Sequence, residues 1–158
     1  MNQDQPSGRR LLAAITSAIL VGASAFPAYF IAAGVMEGAL AQAWFIVVAS
    51  FIVGAILAAG HMLLLGLPLY GLLSLRWQLR WWSAAIGGFL VGGLPYLVLL
   101  NNSGEYSQVG DTVLSEHGRY TAAGWSQLFE MCGWLGLIGA LAGLAFWAVL
   151  RWRREAPE

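Results

Sequence analysis

Four stretches of this chain are too long, too apolar and too free of charge to be buried by anything but a membrane. Leu11–Ala33, Trp44–Leu69 and Trp82–Leu100 contain no Asp, Glu, Lys or Arg, and Leu128–Leu150 contains only Glu130. Each is close to or above the ~20 helical residues that cross a ~30 Å hydrocarbon core. In lipid the backbone has to satisfy its own hydrogen bonds, and a helix does so within one segment. The expected fold is therefore all-α, a single integral membrane domain over residues 1–158 formed by a bundle of four transmembrane helices. The composition agrees: 10% of residues are charged, against about a quarter in soluble domains.

The arginines orient the bundle. Arg9 and Arg10 precede the first span, Arg76 and Arg80 lie between the second and third, and Arg151, Arg153 and Arg154 follow the fourth. Seven of the eight thus fall at one end, which the positive-inside rule assigns to the cytoplasm, together with both termini. Only Arg119 falls at the other end, beside Glu37, Glu105, Asp111, Glu116 and Glu130. Trp77, Trp81, Trp82 and Trp152 are placed to mark the inner interface, with Trp44 and Trp125 at the outer one. The lysine-free, Ala- and Gly-rich composition suggests a bacterium of high GC content, and so a multi-pass protein of a bacterial inner membrane.

The N-terminus carries a competing signal. "RRLLAAITSAILVGASA" has the basic start, apolar stretch and small-residue end (Ala23-Ser24-Ala25) of a cleavable signal peptide. Hydrophobicity continues through "FPAYFIAAGVM", however, and this length predicts an uncleaved first span.

Each span has a stripe of small residues at the spacing of one helix face, the pattern that lets membrane helices approach closely. The first stripe is Ala14, Ala18, Gly22 and Ala25. The second is Ser50, Gly54, Ala58, His61 and Pro68. The third holds Ala84, Gly88, Gly92 and Pro95, and the fourth Gly133, Gly136, Ala140 and Gly143. Pro27, Pro68 and Pro95 each remove a backbone donor and are expected to bend their helices.

The one sizeable segment outside lipid is residues 101–127, a polar loop on the periplasmic side. Asp111 or Thr112 is positioned to cap a short surface helix through "VLSEH". Glu116, His117 and Arg119 are its candidate functional residues, as a recognition surface. Two adjacent ligand types without a third do not make a metal site, so no metal is expected.

His61 is the one ionisable side chain placed deep in the membrane. Trp44 to Arg76 would span about 48 Å as one helix, longer than the bilayer, so the run has to tilt, kink at Pro68 or end along the interface. An intramembrane histidine is a functional-site hypothesis by default. Haem held between helices takes two axial ligands, and a single chain offers one deep histidine. A proton relay needs partner carboxylates, and Glu130, at the outer start of the fourth helix, is the nearest. The simpler use is structural: an imidazole hydrogen-bonded to a neighbouring helix or to backbone freed near Pro68, contributing roughly 0.6–2 kcal/mol.

Several function classes are disfavoured. Cys132 is the sole cysteine, which excludes four-helix thiol oxidoreductases that shuttle electrons through a thiol pair. Small four-helix drug/proton antiporters depend on an embedded carboxylate, and no span core has one. No phosphate loop or Ser/His/Asp constellation is present, and a net charge of zero argues against nucleic acid. No cofactor is expected. "GHMLLLGLPLYGLL", "RWWSAAIGGFLVGGLP" and "GLIGALAGLAFWAVLR" together resemble a pattern in small proteobacterial four-helix inner-membrane proteins of unknown function. That resemblance covers the second to fourth spans and implies the fold and setting, with no activity attached. The function expected is a non-enzymatic accessory or interaction subunit, partnered by the lipid bilayer and by a membrane protein or a second copy. The alternative is a small transporter or channel subunit that uses His61 and the proline-kinked helices.

Overall fold

The computed structural model describes residues 7–36, 40–76, 80–99 and 106–152. It is mostly helical, with four helical spans long and apolar enough to cross a membrane. Helix α1 runs Gly8–Met36. The second span is α2 (Leu40–His61), a π-helical turn (Met62–Gly66) and α3 (Leu67–Arg76) in direct succession. The third is α4 (Trp81–Leu99) and the fourth is α5 (Ala122–Trp152). The first, second and fourth helical runs extend past the boundaries hydropathy suggests, because helices continue through the interfacial turns where polar residues begin. Glu37, Trp77, Glu105, Arg153 and Arg154 lie outside the described residues.

The helices pack in the order α2, α1, α5, α4. The α4–α5 seam is the tightest. A Cβ at Gly88 would overlap the carbonyl oxygen of Gly139, and one at Gly139 would overlap that of Gly88. One at Gly143 would likewise meet the Ala84 carbonyl. Only glycine allows two backbones to approach this closely. Between α1 and α2 the approach is looser: a Cβ at Gly54 would lie 3.1 Å from the Ala23 carbonyl oxygen, and one at Gly22 would lie 3.3 Å from the Ala58 Cβ. The α1–α5 contact is a small apolar core in which Ala14 and Ala18 receive Phe146. Outward-facing residues are apolar, with Leu64 76% exposed and Ile56 67%. Such an outer surface matches lipid better than water.

The second span carries an irregularity that hydropathy does not reveal, a π turn. The Leu67 N–H bonds to the Met62 carbonyl, five residues back, which widens the helix by one residue just before Pro68. A proline ring excludes the carbonyl four residues earlier and supplies no N–H, and a π turn upstream absorbs that mismatch. The extra residue also rotates the downstream helix relative to the 3.6-residue period. Pro68, expected to share a face with Gly54 and His61, is therefore exposed. Met62, Leu69 and Tyr70 face inward in its place.

Between α4 and α5 the expected surface helix is absent. Residues 106–120 form a three-stranded antiparallel sheet in the order β1 (Tyr106–Val109), β2 (Thr112–Glu116), β3 (Arg119–Tyr120). "VLSEH" is strand and turn because both of its flanks are tight hairpins. Gly110 alone takes a positive φ in the first turn, whereas His117 (52°) and Gly118 (72°) both do in the second. These are the patterns of II′ and I′ hairpin turns, which match the twist of paired strands. A bulge between Ser107 and Gln108 shifts the β1–β2 register.

Candidate functional site

Thr121 fastens the sheet to the bundle. Its Oγ1 donates to the Val113 carbonyl at 2.7 Å and accepts the Gly124 N–H at 3.1 Å, while its own N–H donates to Leu114 at 2.9 Å. One residue thus ends the sheet and caps the N-terminus of α5. Gly124 sits so close to Leu114 that a Cβ there would overlap its carbonyl oxygen. Tyr120, Trp125 and Phe129 continue the contact as a chain of rings with centroids 5.3 and 5.7 Å apart. Reading the sequence missed Thr121. The available signal was a Thr followed by Ala-Ala at the start of an apolar run.

The sheet gathers three of the candidate residues. Glu116 and Arg119 face each other across the β2–β3 pair, and His117 occupies the turn between them. His117 Nδ1 lies 3.9 Å from Glu116 Oε1, with both side chains largely exposed. Glu130 is exposed on α5 and separate from this group. No cluster of three or more His, Cys, Asp or Glu occurs among the described residues.

A second feature lies inside the bundle. Because the packing order ends at α2 and α4, those two helices flank a gap, and α4 meets the second span mainly at the π turn. Behind the gap is an apolar cavity of about 250 Å³. Gly22 of α1, Gly54 of α2, Gly88 and Gly92 of α4 and Phe146 of α5 form much of its wall. The glycine stripes thus serve two purposes: they seal the α4–α5 seam and leave open space where they face α2. Gly136 is filled by the ring of Phe89. Gly133 meets no neighbour, and Gly139, absent from the expected stripe, is the residue in the seam. Pro95 is half-buried in α4.

His61 lines this cavity with Tyr70 and Ser83 as the other polar side chains. It ends α2, directly before the π turn, about 26 Å along the helix from Trp44 and about 22 Å from Arg76. Its Nδ1 lies 2.8 Å from the Leu57 carbonyl oxygen. Ser83 is engaged at the N-terminal end of α4, where its Oγ accepts the Arg80 N–H at 3.1 Å and donates to the Arg80 carbonyl at 2.8 Å. Tyr70 packs edge-on against Phe146, with centroids 5.3 Å apart.

No family model, no curated protein and no solved structure matches this chain. Its functional reading therefore rests on its own residues.

Proposed function

We propose that this chain is a non-enzymatic accessory or interaction subunit of a bacterial inner membrane. Both termini are cytoplasmic, and the sheet of residues 106–120 is its periplasmic recognition surface. The observation that carries this reading is the clasp at Thr121, which turns a polar loop into a rigid platform held at the outer end of α5. Among the described residues the outer edge of β1 has no partner strand, and the Glu116–Arg119 turn projects charge from the platform. The arginine distribution supports the orientation. The partner is a further membrane protein or a second copy of this chain.

The test exchanges the charges. A Glu116→Arg/Arg119→Glu double variant is expected to fold and insert normally but to lose partner co-purification or the associated cellular phenotype, whereas His61→Ala retains both. Loss with His61→Ala and retention in the loop variant would favour the second reading, a small transporter or channel subunit. The specific feature behind that reading is the cavity beside the π turn. Orientation is tested independently: reporter fusions at Gln78 and Gln108 should report cytoplasm and periplasm.

A further inference from the structure

Besides His61 the cavity wall carries two hydroxyl side chains, Ser83 and Tyr70, whose ring packs on Phe146, in a lining that is otherwise apolar. A carbonyl oxygen only accepts, so the 2.8 Å contact with Leu57 places a proton on His61 Nδ1. In the neutral ring Nε2 is then an acceptor, at the ring edge away from the backbone. Fixing one imidazole nitrogen through a backbone carbonyl sets what the other can do. Among the described residues nothing donates to Nε2, and it is not sealed from its surroundings. Ser83 is already committed to Arg80.

The size of the space narrows the occupant. At about 250 Å³ it exceeds the ~150 Å³ cavity that admits a benzene. It falls below the ~300–1,000 Å³ of pockets that enclose drug-sized ligands. It extends along α2, the π turn and α3 from Gly54 to Leu73, about 28 Å at 1.5 Å per residue. A volume of that size drawn out over such a length is narrow, with room for one hydrocarbon chain or a single ring with a tail. The gap between α2 and α4 gives lateral access from the membrane.

We propose that this cavity binds a membrane-dissolved hydroxyl compound, a long-chain or isoprenoid alcohol or a phenol, whose O–H donates to His61 Nε2 while its hydrocarbon lies along α4 at Gly87 and Val91. An ordinary lipid chain would fill the same space but leave Nε2 unserved. The site does not depend on the periplasmic sheet being a recognition surface, and it holds for a resident ligand or a transported one.

The chain has two histidines, and His117 lies in the exposed turn of the sheet, so ¹⁵N-histidine NMR reads the site directly with an internal control. The labelled full-length protein is titrated in nanodiscs with 1-decanol and, separately, with its methyl ether, which has no donor. Decanol is expected to shift the His61 acceptor nitrogen saturably and leave His117 in place, and the ether is expected to shift neither. Affinity for decanol, read on the ligand by saturation-transfer NMR, should fall about five- to tenfold in His61→Phe, to the level of the ether, as expected for one hydrogen bond. Val91→Phe, which fills the cavity from α4, should abolish the shift. Equal shifts with both compounds, no shift with either, or a decanol shift that survives Val91→Phe would overturn the proposal. The first of these would mean that water or a lipid chain occupies the space. If Val91→Phe does not fold, the alcohol–ether comparison on the wild type decides alone.

Discussion

The two faces of α4 are built from the same kinds of residue and behave in opposite ways. Toward α5, Gly88, Gly92 and Gly93 bring the backbones together until no side chain fits between them. Toward the second span, Gly87 and Val91 border a cavity, with the Leu69 side chain reaching Gly87 at its edge. Small residues therefore permit close approach without causing it. What differs is the partner: α5 offers a complementary run at Gly136, Gly139 and Gly143, whereas the second span is held away by its π turn, with Met62 folded over Gly66.

The largest test of this contrast is Gly139→Leu. The side chain would have to displace the backbone of α4, a cost of about 3 kcal/mol or more, read as loss of a monodisperse folded species or a steep fall in resistance to denaturant. Next is Thr121→Val, which asks whether the outer clasp belongs to the closed half of the molecule. It should cost about 1–2 kcal/mol and speed amide exchange across residues 106–120 while sparing α2. On the open side, His61→Leu should change stability by less than about 1 kcal/mol in the same denaturant assay. A loss as large as that from Gly139→Leu would mean that His61 is a packing residue of the closed half. The smallest effect is expected from Gly133→Ala, on α5 but facing nothing. It should stabilise by about 0.5–1 kcal/mol through reduced chain entropy, and a loss would show that the seam extends further outward than Gly136.

The four spans were legible because hydropathy acts over twenty residues and needs no knowledge of neighbours. The close approach at Gly88 and Gly92 followed from spacing alone, but Gly139 did not, since several registers of small residues on α5 fit the same pattern and only the facing helix selects one. Pro68 was misplaced for a definite reason: a helical face drawn at 3.6 residues per turn fails once a π turn inserts a residue. The sheet was missed because "VLSEH" alone is compatible with helix. What decides against helix is a pair of turns with positive φ at Gly110, His117 and Gly118, and one of those residues is a histidine that propensity does not place there. His61 was recognised as a deep polar residue. Its hydrogen bond, to the carbonyl four residues back, is local, where a neighbouring helix or backbone near Pro68 was expected, and the space in front of it depends on the packing of all four spans.

The clasp at Thr121 also decides which parts of the molecule are free to move. Helix α5 is held at its N-terminal end by β2, along its middle by the glycines of α4, and toward its C-terminal end by Phe146 against Ala14 and Ala18. It therefore has no independent axial rotation, and turning it would drag the sheet and two neighbouring helices along. The second span has no such set of restraints on its α4 side. A change in the volume of the cavity that leaves the α4–α5 seam intact is then a matter for the other walls, the second span with its π turn at Met62–Gly66 foremost among them.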